Sequence, residues 1–140
     1  MDLLIYTSYV SPANMKMFEK NELLPIFILR NIRNSKLIGK YSDSAVHFKD
    51  LSPSNALYQA KRDKKISIEE FKEDYKREIS NIPLENILKR LKSLAEISNA
   101  KAIVLLGYGS DSSVCHRTVL SELLNQSGLL STPIKEIACQ

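Results

Sequence analysis

The chain is poor in the residues on which many metal sites and disulfide frameworks depend. Its 140 residues include no tryptophan, two histidines, two cysteines and four glycines. The cysteines, Cys115 and Cys139, are too few for a disulfide framework, and the first residues show no secretory signal. The histidines and cysteines are far apart except for one adjacent pair, which is not the spacing of a metal site. We therefore expect a cytoplasmic protein without a metal or other cofactor.

Long apolar runs and strong charge of one sign are also lacking. No segment approaches the roughly 18 apolar residues that span a bilayer, so we expect no membrane partner. The 20 Lys and Arg residues against 16 Asp and Glu give a net charge of +4. This positive charge is compatible with an anionic ligand. The Lys and Arg residues are not concentrated in one stripe, as they usually are in dedicated DNA-binding proteins. Only the net charge favours a nucleic-acid partner, and the oligomeric state, a homo-oligomer included, stays open.

Short apolar runs alternate with helical patterns along the chain. Apolar stretches at 3–7, 25–30 and 102–108 are typical of buried strands, and 133–137 indicates an edge strand. Helical patterns occupy 14–23, capped on Asn14, and the segments after Ser67, after Pro83 and after Arg117. This order predicts one α/β domain over 1–140, Rossmann-like, with a mostly parallel sheet of about four to five strands flanked by helices.

The stretch from 31 to 65 is different, because its periodicity is poor and turn formers are common. We interpret it as a long irregular crossover with a short strand and a turn of helix, and a loop of this length is usually functional. Directly after it, Ser67 and Glu70 have the spacing of a capping box.

Ligands of parallel α/β sheets bind outside the carboxyl ends of the strands. Polar residues follow three of the predicted strands, and we expect them to converge on one crevice. They are Tyr6, Thr7, Ser8 and Tyr9 after the first strand, Arg30 and Arg33 after the second, and the segment 107–118 after the strand at 102–107.

The segment 107–118 reads GYGSDSSVCHRT and joins the most apolar strand to a helical pattern. Serines 112 and 113 can cap that helix, which places Cys115, His116 and Arg117 in its first turn. Free N–H groups and the helix dipole favour anions there and lower the pKa of a thiol. Arg117 adds a guanidinium suited to phosphate or carboxylate. The segment therefore predicts an anion-binding turn, although it matches no Walker, dinucleotide or phosphatase motif.

Each member of this triplet also has a simpler interpretation. Cys115 can be a small buried apolar residue, and His116 can bond a backbone carbonyl. Arg117 can pair with an internal carboxylate, and an Arg117 buried against an Asp or Glu would contradict the crevice hypothesis.

A second group of candidates lies in the segment 50–63. Tyr58, Lys61 and Arg62 can close over an anionic ligand, but a solvated surface segment is the interpretation that the composition favours.

Three stretches of the chain resemble the DUF488 family of small proteins of unknown function. They are IYTSY at the start, LSPSNALYQAKRDKKISIEEFKEDYKREI in the middle and IVLLGYGSDSSVCHRTVLSELL near the end. The most specific element is the Cys-His-Arg triplet that opens a helix after an apolar strand. The resemblance implies a compact α/β fold with Cys115, His116 and Arg117 in a shared pocket, and with the TSY residues and the central loop nearby.

The chain departs from the family pattern at one place. Relatives read something like Cys-Tyr-Glu where this chain has Gly107-Tyr108-Gly109, so a cysteine and a carboxylate are absent. If that glutamate is a general acid or base in the relatives, this chain would bind their ligand without turning it over. Asp111 could substitute for it only if the loop bends back.

The leading hypothesis is a crevice that binds, and as an enzyme hydrolyses, a phosphorylated nucleotide-like small molecule. Arg117 and the helix N-terminus would hold the anion, and Tyr6, Ser8 and Tyr108 would frame the ring or sugar.

The chemistry expected of an enzyme here is hydrolysis or transfer at a glycosidic or phosphate bond. His116 or Asp111 would transfer protons, and Cys115 is the second choice, as nucleophile. The alternatives are a non-catalytic binder that sequesters a nucleotide signal, a protein that processes modified bases in nucleic acids, and a structural module.

Overall fold

The computed structural model describes residues 2–32 and 35–139, and Arg33, one of the residues predicted for the crevice, lies outside them. Within the described residues there are five strands and six α-helices. The strands are β1 Ile5–Tyr9, β2 Leu23–Phe27, β3 Val46–His47, β4 Ala102–Gly107 and β5 Lys135–Glu136. The helices are α1 Pro12–Lys20, α2 Lys36–Lys40, α3 Asn55–Arg62, α4 Ile68–Ser80, α5 Leu84–Ile97 and α6 His116–Gln126.

The strands form one sheet in the order β3-β2-β4-β1-β5, and every pair in it is parallel. The central strand β4 is buried at all of its positions, as its unbroken apolar sequence requires of a strand covered on both faces. The predicted Rossmann-like α/β fold is confirmed. Because β4 lies between β1 and β2, the ends of those two strands are not neighbours.

Alternation along β4 divides the apolar residues into two cores. Ile103 and Leu105 point to the face where α3 to α6 pack, together with Phe71 and Tyr75 of α4. Val104 and Leu106 point to the opposite face, where α1 and α2 pack. The larger core therefore lies beneath α3, which is part of the segment 31–65, and beneath α6, which has the Cys-His-Arg triplet at its start.

Several predicted element boundaries are wrong for local reasons. Helix α1 begins at Pro12 and is capped by Ser11, whose hydroxyl accepts from the Asn14 N–H at 3.0 Å. Proline has no N–H, and its fixed φ angle suits the first position of a helix. Pro12 can therefore begin α1, which starts earlier than predicted. Strand β2 begins two residues and ends three residues earlier than predicted, at Leu23–Phe27.

The segment 31–65 is more regular than predicted. It contains the short helix α2, the two-residue strand β3 and the eight-residue helix α3. The capping box after it is confirmed, because Ser67 and Glu70 exchange both side-chain to backbone hydrogen bonds at 3.1 Å. In the described part of the chain, no helix combines the length and apolar character that crossing a membrane demands.

Candidate functional site

A cavity of about 480 Å³ lies at the carboxyl ends of β2 and β4, the edge predicted for ligand binding. Its walls come from the residues that follow β2, from α3 and from the segment between β4 and α6. Eight residues that the sequence analysis names as candidates line it: Arg30, Tyr58, Lys61, Arg62, Tyr108, Asp111, Cys115 and His116. We call this cavity the crevice.

The chain before α6 is arranged differently from the expectation. Residues Ser112–Val114 form a short 3₁₀ turn, and its cap is Asp111, whose carboxylate accepts from the Ser113 N–H at 3.0 Å. The two serines therefore do not cap α6, and that prediction is wrong. Cys115, in extended backbone, occupies the cap position, and its side chain makes no capping hydrogen bond. Its sulfur is thus available to other neighbours.

His116 connects α6 to the end of β2. Its Nε2 lies 2.5 Å from the carbonyl oxygen of Ile28, and its Nδ1 lies 3.9 Å from the sulfur of Cys115. A carbonyl oxygen can only accept, so Nε2 carries a hydrogen and Nδ1 faces the thiol. The ring packs edge-on against Tyr75, with centroids 5.1 Å apart. The simpler interpretation of His116, a bond to a backbone carbonyl, holds, and the same bond orients the ring toward Cys115.

The environment of Cys115 favours the thiolate. Burial, with 7% of the residue exposed, raises its pKa. His116 lowers the pKa through its hydrogen bond and its charge, and Arg117 lowers it through its charge and its backbone N–H. Together these effects are larger than the increase that burial causes. The result is a pKa of about 6, against an ordinary value of 9.0. Cys115 is therefore substantially ionised at neutral pH.

The role predicted for Arg117 is wrong. Its side chain is completely buried, and its guanidinium binds both carboxylate oxygens of Glu136, with Nη2 2.9 Å from Oε2. Its Nη1 donates to the carbonyl oxygen of Gly109 at 2.8 Å. Because the internal carboxylate of Glu136 satisfies it, Arg117 does not line the crevice. This is the arrangement that contradicts the crevice hypothesis as the sequence analysis states it, so that hypothesis fails in the form in which Arg117 holds the anion of a ligand. Any anion in the crevice must meet other cations.

The β1 residues lie outside the crevice too. The hydroxyl of Thr7 donates to Glu136 at 2.6 Å, and that of Ser8 donates to the carbonyl oxygen of Ile137 at 2.6 Å. Tyr6 packs against the core beneath α1 and α2. Strand β1 lies beside β5 and is separated from β2 by β4, so its polar groups meet the C-terminal segment instead. Only two of the three predicted polar segments converge.

Lys61 lines the crevice together with Tyr58 and Arg62, although the composition of the segment 50–63 favours a solvated surface. Its ammonium donates to the carbonyl oxygen of Val114 at 3.0 Å and lies 4.3 Å from the ring centroid of Phe71. Burial lowers the pKa of Lys61, and the negative charge of Cys115 raises it in part. The spacing of Tyr58, Lys61 and Arg62 places all three on one side of α3, and that spacing was the available signal.

Asp111 is poorly suited to donating protons. It is exposed, and its carboxylate accepts from both the hydroxyl and the N–H of Ser113. These bonds lower the pKa of Asp111 below its usual range.

Gly107 leaves room for the side chains of Cys115 and Arg117. A Cβ added at this position would collide with the sulfur of Cys115 and would lie 2.7 Å from Nη1 of Arg117. The side chains of Cys115 and Arg117 therefore occupy the space that a larger residue at 107 would need. Gly109 differs, because a Cβ there would meet no atom within 4 Å.

The fold and the site define an α/β protein of the parallel-sheet class with a cysteine–histidine pair at the carboxyl edge of its sheet. Among the described residues, no three His, Cys, Asp or Glu side chains are grouped as a metal site requires. Residues 20–128 match DUF488-N3a, described as the active DUF488-N3 subclade, and the chain belongs to this family. Membership of DUF488 is thus confirmed. No curated protein and no solved structure matches the chain.

Proposed function

We propose that the crevice binds a phosphorylated, nucleotide-like small molecule and that Cys115 attacks it as a nucleophile. One observation carries the proposal: the Cys115 thiol lies in the wall of a cavity, next to the Nδ1 atom of His116, with a pKa of about 6. A thiolate at neutral pH with a neighbouring imidazole is the arrangement of a cysteine nucleophile and its base. Cys115 thereby takes precedence over His116 and Asp111, the first choices from sequence.

The charges around the crevice favour an anionic ligand. Arg30, Lys61 and Arg62 line it, against one carboxylate, that of Asp111. A second cavity, of about 410 Å³, shares Arg30 and adds Lys49. These cations can take the phosphate-binding role that Arg117 cannot fill.

The remaining surface of the crevice suits a flat, partly apolar group. Leu29, Phe71 and Ile38 contribute apolar side chains, and the rings of Tyr58 and Tyr108 lie at its wall. Tyr108 is 57% exposed, so its ring is available for stacking on a ligand. A nucleoside with a phosphate combines the two kinds of group that this lining accommodates.

The proposed reaction proceeds in two displacements. The thiol proton of Cys115 passes to Nδ1 of His116, and the thiolate forms a bond to the carbon of a glycosidic bond or the phosphorus of a phosphate ester. The leaving group departs with the electron pair of the broken bond and takes the proton from Nδ1. Water then displaces the sulfur while Nδ1 accepts the water's proton, which restores the thiolate–imidazolium pair.

Two further observations favour turnover over sequestration. The Cys115–His116 pair can supply both nucleophile and proton, so the glutamate missing near residue 109 is not required. The family model that the chain matches carries the description "active".

The test is incubation with a panel of nucleotides, followed by chromatography and by intact mass measurement of the protein. We expect conversion of at least one nucleotide, with a mass adduct on Cys115, and we expect Cys115→Ser to lose both. Cys139→Ser is the matched control, because Cys139 lies outside the crevice lining, and it should keep full turnover. A nucleotide that binds and is recovered unchanged would indicate a binder instead. Affinity only for oligonucleotides, falling steeply with salt, would indicate a nucleic-acid partner.

A further inference from the structure

Glu136 and Thr7 lie on adjacent strands at the edge of the sheet, and neither lines the crevice. We propose that they are positioning residues, which fix the guanidinium of Arg117 against the sulfur of Cys115. The proposal rests on the proposed function, in which Cys115 is the nucleophile. Both residues also lie outside the segment 20–128 that matches the family model.

The hydrogen bonds of Arg117 leave its guanidinium one orientation. The Nε atom lies 3.1 and 3.2 Å from the two oxygens of Glu136, and Nη2 lies 2.9 Å from Oε2. The opposite side is held by the carbonyl oxygen of Gly109, which accepts from Nη1 at 2.8 Å. A two-point contact between a guanidinium and a carboxylate fixes its plane as well as its position.

The carboxylate of Glu136 is itself held in place. Thr7 and Glu136 are paired in register across β1 and β5, so their side chains leave the same face of the sheet. The hydroxyl of Thr7 donates to Oε1 of Glu136 at 2.6 Å. The face they share is the one on which α6 packs, and α6 carries Arg117. Strand pairing therefore determines where the guanidinium lies.

The guanidinium and the sulfur occupy one small space above Gly107. A Cβ at Gly107 would meet both the Cys115 sulfur and, at 2.7 Å, Nη1 of Arg117. Arg117 is fully buried, so water screens its charge little. An arginine in this position stabilises a thiolate only while its plane is held there.

The direction in which the pKa of the Cys115 thiol changes when Glu136 is neutralised distinguishes a positioning role of Glu136 from a purely electrostatic one. If Glu136 acted on Cys115 only as a nearby negative charge, neutralising it would lower the pKa of the thiol. If Glu136 holds Arg117 in place, neutralising it releases the guanidinium and the pKa of the thiol rises. The two roles therefore move the same quantity in opposite directions.

The experiment measures the rate of Cys115 alkylation by iodoacetamide as a function of pH, in a Cys139→Ser background. We expect Glu136→Gln to raise the apparent pKa of Cys115 by about one pH unit or more. Thr7→Val, which removes one hydrogen bond and keeps the side-chain shape, should shift it in the same direction by less. In an Arg117→Gln background, Glu136→Gln should add nothing, because the residue through which it acts is gone.

One control and one alternative variant keep the test decisive. Asp50→Asn removes a carboxylate that pairs with Arg90 at 2.8 Å outside the crevice lining, and it should leave the thiol pKa unchanged. If Glu136→Gln fails to fold, the pKa of the Cys115 thiol in Thr7→Val is the deciding measurement. An unchanged or lowered thiol pKa in the folded variant would overturn the proposal. Alkylation needs no substrate, so this readout is independent of whether a nucleotide is turned over.

Discussion

The Nε2 atom of His116 donates a hydrogen bond to the carbonyl oxygen of Ile28, 2.5 Å away. This bond joins the first residue of α6 to the chain just after β2. It also fixes the tautomer of the neutral ring, because Nδ1, 3.9 Å from the Cys115 sulfur, is then the nitrogen left to accept a proton. A backbone carbonyl thus has the orienting role that a carboxylate has in many catalytic triads.

Substitution of His116 by Gln should slow alkylation of Cys115 at neutral pH by roughly tenfold. The amide of Gln can still donate to Ile28, but it cannot carry the positive charge or the proton that lowers the pKa of the thiol. The measurement is the iodoacetamide rate against pH, with Cys139 replaced by Ser.

The matched control is His47→Gln. The Nε2 atom of His47 lies 2.6 Å from the carbonyl oxygen of Leu29, so it makes a similar bond one residue further along the chain. His47 does not line the crevice, and its replacement should leave the alkylation rate unchanged. Equal losses in the two variants would mean that the rate reports the structure around β2 and not the charge of His116.

Unfolding stability should depend on pH through Cys115. The pKa of its thiol is about 6 in the folded protein and near 9.0 when exposed, so the unfolded chain binds more protons between these values. The stabilisation is complete above about pH 9, decreases as the pH falls and is lost below about pH 6. Relative to Cys115→Ser, we expect the free energy of unfolding to rise by about 1 kcal/mol for each pH unit in that window. Urea titrations of both proteins across the window measure this difference, and parallel curves would contradict it.

The sequence made the fold and half of the site predictable. Unbroken apolar runs gave the strands, and the rule for parallel sheets placed the crevice at their carboxyl ends, where Cys115 and His116 do line it. The pairing of Arg117 with Glu136 could not be predicted, because the two residues are 19 positions apart and the place of Glu136 depends on the pairing of β5 with β1. The periodicity of a local sequence predicts strands and helices. It does not predict strand order, and so it could not show that β4 lies between β1 and β2 or that β5 pairs with β1.

Asp111→Asn should leave the pH profile of Cys115 alkylation unchanged. The carboxylate of Asp111 accepts from Ser113 and caps the turn before α6, and asparagine can cap the same N–H. The amide oxygen of asparagine can accept both hydrogen bonds from Ser113 but carries no charge, so both become weaker and the melting temperature, measured by circular dichroism, should fall slightly. If nucleotide turnover disappears in this variant while alkylation is retained, Asp111 transfers a proton after all.

Gly107→Ala should damage the site although it adds only one methyl group. That methyl group would overlap the Cys115 sulfur and approach Nη1 of Arg117 to 2.7 Å, and both groups are confined by burial. We expect a loss of about 1–3 kcal/mol in unfolding free energy, typical of overpacking, and slower alkylation because the sulfur leaves its position between His116 and Arg117. Gly39→Ala, in α2, is the matched control, because no atom lies within 4 Å of the added methyl. A glycine inside a helix costs about 0.5–1 kcal/mol relative to alanine, so this control should be neutral or slightly stabilised. Wild-type stability and reactivity in Gly107→Ala would remove the packing explanation for glycine at this position.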